Sequence, residues 1–301
     1  MIVELAFGGA GDESAGALGI GLPLLGGEPR VAISGPVEPA GREWGAALWR
    51  GPGCLVGIAR AKPGFDIENA TIQAYAGILR AASGLNLYRM WNWVPGINAT
   101  EPGGLENYHA FCRGRSRTFE AALGKGFPKS LPAASAVGTA GDELTVAFLA
   151  GAAPPRHFEN PAQVPAYEYP PEHGPRSPSF ARATAVDSGA GQDVFVSGTS
   201  AVVGHETVAP NDTLGQLDCT FENLRLISRA CGLGDSLGSG PGCRRHFSVY
   251  LRHAGDLAAV EARVRGSLLA PGDRVSYLGA DICRAALNVE IEVAVRGADR
   301  I

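Results

Sequence analysis

The chain has 301 residues, with 26 basic and 30 acidic side chains and a formal charge of −4 at pH 7. That suits one large domain or two small ones. Glycine (42) and proline (21) are in excess, yet an apolar content of 45% still builds a core and the glycines follow no collagen period, which excludes disorder and triple helix. No apolar run reaches the ~18 residues of a membrane span, and no dense basic stripe offers a nucleic-acid surface.

The opening MIVELAFGGAGDES carries an early acid and no basic n-region, so a cytoplasmic location is expected. Six cysteines (54, 112, 219, 231, 243, 283) form no CxxC pair, and the six histidines form no HxxxH or HxH. No metal site is expected from such spacing, and the thiols read as free.

In chain order, ENATIQAYAGILRAASGL (68–85) predicts a helix ending at Gly84, and Tyr88 to Trp93 a strand. GLENYHAFCRGRSRTFEAAL (104–123) predicts a second helix, and 131–150 closing strands. The segment 153–182 is rich in proline and aromatics and holds Tyr167, Tyr169, Arg176, Phe180 and Arg182. Thirty residues without regular structure in this setting predict a functional lid. From Asp193, DVFVSGTSAVVG predicts a strand, a turn at Gly198 and more strand. Asn211-Asp212 then caps a helix with apolar Leu214, Leu217, Phe221, Leu224 and Ile227, stopped by Gly232. HFSVYL (246–251) alternates as a strand, and Leu257, Val260, Val264 and Leu268 share a helix face. Two last strands, about 274–283 and 287–295, are taken as a hairpin.

The two halves repeat one order of elements. LTVAFLA (144–150) overlays LNVEIEV (287–293), placing Ala147 against Glu290 and Leu149 against Glu292. Interspersed strands and helices of this kind give an α+β fold of two tandem units, each a mixed or antiparallel sheet with helices on one face. The expected divisions are 1–152, the loop 153–182, and 183–301. One copy of the sheet has lost its two acids and the other has kept them, which marks one specialised cleft. In a hairpin with a four-residue loop, Cys283 would stand directly opposite Glu290. Arg113 and Arg117 share one helix face while Arg115 points elsewhere, and Arg176 and Arg182 flank the aromatic loop. Guanidinium groups converging on a cleft suit a small molecule with two carboxylates.

YEYPPEHGPRSPSFARA, FVSGTSAVVGHE, FCRGR and ADICRAALNVEIEVAV resemble the chorismatases, which cleave the enolpyruvyl ether of chorismate on a duplicated RidA/YjgF-like (chorismate-mutase-like) fold. The resemblance runs from about residue 85 to the C-terminus. It implies that Glu290 is the general acid, with a raised pKa in an apolar, enclosed site. It implies that Arg115 and Arg182 bind substrate carboxylates. Tyr108, Arg176 and the Ser197-Gly198-Thr199 stretch join them as candidate contacts. No cofactor is implied. A cysteine seven residues before the acid is associated with the branch that forms 3-hydroxybenzoate, and Cys283 matches it. The hydrolytic branch, which gives a dihydroxycyclohexadiene carboxylate, and a 4-hydroxybenzoate-forming member stay open. So do a RidA-type enamine/imine deaminase using Arg274 and a non-catalytic binding protein of the same fold. The assembly is expected to be a monomer or a small homo-oligomer.

Overall fold

A computed structural model of the chain describes residues 1–298 apart from 10, 65, 189–190 and 239–241. The chain opens with β1 (Ile2–Phe7), β2 (Ala17–Ile20), β3 (Leu24–Gly27) and β4 (Arg30–Pro36). Strands β5 (Glu38–Glu43), β6 (Ala46–Gly51) and β7 (Cys54–Ala61) lead into α1 (Ile67–Ala81). Next come β8 (Asn86–Pro95), α2 (Asn107–Leu123), β9 (Ala133–Thr139) and β10 (Leu144–Gly151). The second half holds β11 (Arg156–Phe158), β12 (Ala183–Asp187), β13 (Gln192–Thr199) and a short ribbon, β14 (Val202–Val203) with β15 (Glu206–Thr207). It closes with α3 (Thr213–Ala230), β16 (Arg244–Leu251), α4 (Leu257–Ser267), β17 (Arg274–Gly279) and β18 (Val289–Ala298).

The helices start and stop for local reasons. The carboxylates of Asp66 and Asp212 accept hydrogen bonds from the backbone N–H groups of Asn69 and Gly215, capping α1 and α3. Just past each C-terminus a glycine turns left-handed, Gly84 at φ +77° and Gly232 at φ +70°, a conformation that any Cβ disfavours.

The duplication is one of sheet topology. The first sheet runs β5-β6-β7-β10-β8-β9 and the second β11-β12-β13-β18-β16-β17-β3. Thus β6-β7-β10-β8-β9 and β12-β13-β18-β16-β17 share one order. In each unit a helix crossover makes two strands parallel, β8 with β9 and β16 with β17. The last strand of each unit then inserts at the centre of its sheet, antiparallel to both neighbours.

Three apolar layers follow. Helices α1 and α2 pack on the outer face of the first sheet through Tyr75, Ile78, Phe111, Phe119 and Phe148. Helices α3 and α4 pack on the second through Leu217, Leu224, Val260, Phe247 and Ile291. Between the sheets lies a third layer with Trp49, Trp91, Trp93, Ala147, Leu149, Phe195 and Tyr250. The architecture is α/β/β/α, with each sheet covered by helices on one face and by the other sheet on its second face. Ala147 and Leu149 lie in the same central layer that Glu290 and Glu292 enter on β18, so the overlay of the two last strands holds for the face they present.

Two additions to the repeat, and two departures from the expected pattern, stand out. Strands β1, β2 and β4 form a small sheet, β2-β1-β4, whose Val3, Leu5, Leu18 and Ile20 complete the central layer. Strands β3 and β11 extend the second sheet at its two edges. The expected turn at Gly198 is absent: β13 runs through it, and a register shift between Val196 and Thr199 takes up the irregularity. The expected hairpin of β17 and β18 is also absent, because β16 lies between them. The residue opposite Glu290 is therefore Tyr250, not Cys283. Among the described residues, no helix is long and apolar enough to cross a membrane.

Candidate active site

A cavity of about 180 Å³ opens beside β9, the edge strand of the first sheet, where the two units meet. Its walls come from α2, β9, the segment 163–182, the end of β13, the 283–287 connection and β18. The two sheets are joined at this edge by hydroxyls. Thr184 accepts from the backbone N–H of Ala133 at 2.7 Å, and Ser197 accepts from that of Ala134 at 2.9 Å. An edge strand that would otherwise present bare N–H groups is thereby satisfied by the second unit.

Glu290 faces this cavity from the floor and is 4% exposed. Its Oε1 has no hydrogen-bond partner in the protein. Burial pushes its pKa up to about 8, the neighbouring Glu292 carboxylate adds to the rise, and the Arg89 and Arg182 guanidinium groups oppose it. The carboxyl therefore carries its proton at neutral pH. Glu292, two residues on along the same strand face, is instead held by hydrogen bonds. Arg89 Nη2 from β8 donates to its Oε2 at 2.5 Å, Ser135 Oγ to the same atom at 2.6 Å, and Trp91 Nε1 to Oε1 at 3.1 Å. Two like groups on one strand thus sit in unlike surroundings: one is bound by a cation and two neutral donors, and the other is left facing an enclosed space.

Gly198 on β13 makes room for the acid. A Cβ there would lie 2.0 Å from Glu290 Oε1 and 3.2 Å from Ser135 Cβ. The glycine of the SGT stretch is thus a close-approach position.

Three guanidinium groups reach the cavity: Arg115, Arg182 and Arg284. Arg115 is 1% exposed, lies over the Phe111 ring at 4.8 Å, and leaves its Nε without a hydrogen bond. Among the described residues, no carboxylate forms an ion pair with it. Burying a lone charge costs several kcal/mol, so this position calls for an anion from outside. Arg182 donates to the Tyr169 hydroxyl at 2.7 Å, while its Nε has only the Glu159 carboxylate at 3.9 Å. Arg284 donates to the carbonyl of His205 at 2.8 Å and lies over the Tyr169 ring.

Of the residues singled out from sequence, Glu290, Cys283, Tyr108, Arg115, Arg182 and Gly198 line this cavity together. Although no hairpin forms, the 280–288 connection carries Cys283 across to the acid. Burial first, and then the charge of Glu290, push its thiol up to about 12, so it sits there as a neutral S–H. Burial likewise raises the Tyr108 phenol well above its ordinary value.

Three of the residues lie elsewhere. Arg176 is half-exposed and pairs with Glu120 at 3.0 Å, outside the cavity walls. Ser197 turns to the backbone, donating to the Ala181 carbonyl at 2.6 Å, and Thr199 donates to the Ser197 carbonyl at 2.9 Å. Arg113 and Arg117 both pair with Glu68 of α1, which is why only Arg115 of that trio turns inward. Arg274, the arginine of the deaminase alternative, pairs with Glu28 at the far edge of the second sheet.

Sequence reading missed Ser135, Arg89 and Arg284, and did not pair His173 with His205. Only Arg284 carried a signal, as the neighbour of Cys283; the others come from segments whose approach no spacing reveals.

A duplicated α+β fold with a buried carboxyl of raised pKa and three guanidinium groups lining one cavity is an arrangement that suits an anionic small molecule. A family profile described as chorismatase FkbO/Hyg5-like, N-terminal, matches residues 34–150. A chorismatase of Streptomyces rapamycinicus is 37% identical over 276 residues, 87% of this chain and 80% of its own. A 3-hydroxybenzoate synthase of Streptomyces hygroscopicus is 40% identical over 218 residues, 70% of this chain and 63% of its own. A solved chorismatase structure superposes with a TM-score of 0.78 at 32% identity, covering 86% of this chain and 80% of that one. The chain belongs to the chorismatase family.

Proposed function

We propose that this protein cleaves the enolpyruvyl ether of chorismate and releases pyruvate and 3-hydroxybenzoate. One observation carries the reading: an uncharged, buried carboxyl, Glu290, faces the same cavity as a guanidinium, Arg115, that pairs with no carboxylate among the described residues. Chorismate is a dianion with an acid-labile vinyl ether, so it needs both.

The chemistry follows from the surroundings. Glu290 transfers its proton to the methylene carbon of the enolpyruvyl group, which leaves an oxocarbenium ion and a carboxylate on the enzyme. The charge so created on Glu290 is close to Arg89 and Arg182, the two cations that favour it, so the site binds the product side of the proton transfer better than the reactant side. Arg115 and Arg182 hold the two carboxylates, with Arg284 as a third donor at the mouth. Breakdown of the oxocarbenium ion frees pyruvate, and the ring, after internal oxygen transfer and proton loss, becomes aromatic. No water is added or lost overall. The proton lost from the ring returns Glu290 to its starting form.

Two things support the 3-hydroxybenzoate branch. Cys283 sits beside Glu290 in the cavity, and one similar protein is named for that product. A thiol at that place fills space that a water would need for hydrolysis. The site residues act within the expected divisions, 1–152, 153–182 and 183–301, with the middle segment as the lid.

The test is incubation with chorismate and chromatography of the products. Pyruvate and 3-hydroxybenzoate in equal amounts are expected. Pyruvate with a non-aromatic diol moves the chain to the hydrolytic branch, and 4-hydroxybenzoate to the other aromatising one. Unchanged chorismate, with turnover of imino acids, rejects the proposal.

A further inference from the structure

At the mouth of the cavity, four side chains outside the chemistry above come together from two separate segments. Glu172 and His173 belong to the 163–182 segment, and His205 and Glu206 to the β14–β15 ribbon. One nitrogen or carboxylate oxygen from each lies within 4.8 Å of all the others. His173 Nε2 stands 3.0 Å from His205 Nδ1. Glu172 Oε1 is 3.8 Å from the first nitrogen and 3.7 Å from the second, and Glu206 Oε1 is 3.2 Å from His205 Nδ1.

Separations of 3.0 to 3.8 Å are close to the edges of a coordination polyhedron. With metal–ligand bonds of about 2.0–2.1 Å, a tetrahedral zinc site has ligand–ligand edges of roughly 3.3 Å. The two rings meet edge to face, with centroids 5.2 Å apart, and their nearest nitrogens share a hydrogen bond that a bound ion would replace. Two imidazoles with two carboxylates suit a borderline divalent ion such as zinc, and the mixed set disfavours calcium or magnesium, which take oxygen alone. Two carboxylates outweigh the guanidinium of Arg284, whose charge reaches His173, so the cluster offers a cation net negative charge. Histidine side chains that are 20% and 31% exposed leave an entry path from solvent.

We propose that Glu172, His173, His205 and Glu206 form a divalent transition-metal site that fastens the 163–182 segment to the β14–β15 ribbon. Its role is to hold the cavity mouth: His173 packs on Tyr169, whose hydroxyl accepts from Arg182. The ion takes no part in bond breaking. The inference stands apart from the chorismate reading, because it is measured without substrate.

The full chain is stripped of metal, dialysed against micromolar zinc(II) and analysed for bound ion; cobalt(II) replaces zinc for spectroscopy. About one ion per chain is expected, with intense visible cobalt bands of a tetrahedral nitrogen–oxygen site and no sulfur charge-transfer band. Glu206→Gln and His205→Ala should each weaken binding at least about tenfold. Circular dichroism reports folding, and Glu206, at 68% exposure, keeps the test sound should His205→Ala not fold. Zinc should also slow hydrogen exchange of residues 166–174 in the parent chain and not in Glu206→Gln. No retained ion, affinity unchanged by Glu206→Gln, a sulfur charge-transfer band from a cysteine-bound ion, or exchange indifferent to zinc would each overturn the proposal.

Discussion

Gly198 and Glu290 face each other so closely that a Cβ on the glycine would lie 2.0 Å from the acid's Oε1 and 2.6 Å from its carboxyl carbon. The strand carrying Gly198 bulges beside it, and the room so made is filled by the carboxyl.

Gly198→Ala should therefore displace the acid while sparing the fold, because the atom met is the free end of a side chain rather than backbone. Misplacing a reacting group by about an ångström costs on the order of a hundredfold in rate. We expect kcat with chorismate to fall by about that factor, with Tm within a few degrees of the parent. A near-normal kcat would mean that the carboxyl position is not critical.

The pH profile tests the protonation state of Glu290. Its folded-state pKa of about 8 lies above the ordinary 4.5. The protonated form is the active one, so kcat should be level at neutral pH and fall as pH rises through about 8. The stability sign agrees: the folded chain holds this proton more tightly, so the contribution is complete below 4.5 and lost as pH rises through 8. Glu290→Gln should cut kcat by about 10²–10⁴-fold without lowering Tm at neutral pH, since an amide replaces a group already uncharged. Glu292→Gln removes the negative neighbour and frees Arg89 to act on Glu290 alone. The alkaline limb of kcat should then move to lower pH, and Tm should drop because a buried guanidinium loses its partner. An alkaline limb left in place would refute the coupling of the two acids.

Arg115→Lys tests anion binding at the buried guanidinium. A lysine keeps the charge but loses the planar fork, so KM for chorismate should rise by roughly ten- to a hundredfold with a smaller change in kcat. Steady-state kinetics checks this, and an unchanged KM would place both substrate carboxylates elsewhere.

Cys283→Ala should leave pyruvate release intact while shifting the second product toward the diol. The thiol is neutral, with its pKa pushed up to about 12, so its removal opens space for water and does not remove a nucleophile. Chromatography of the ring product decides it; a ratio equal to the parent's would free Cys283 of any role in product choice.

What the sequence by itself determined is what short-range chemistry governs. Helical spacing defined α1 and α3, the Asp212 cap opened α3, glycines at 84 and 232 stopped both helices, and alternation in VEIEVAV put Glu290 and Glu292 on one face. The loss of both acids from the matching strand, at Ala147 and Leu149, singled out the working unit. Arg115 was separable from Arg113 and Arg117 by helix geometry alone. What only the tertiary structure decided depends on which strands become neighbours. Strand β16 inserts between β17 and β18, so Tyr250 and not Cys283 stands opposite Glu290. Arg89 meets Glu292 across more than two hundred residues, and His173 meets His205 across thirty-two. Local residue patterns carry no record of such contacts, because they arise when two sheets bury their faces against each other and bring distant side chains into one dry layer.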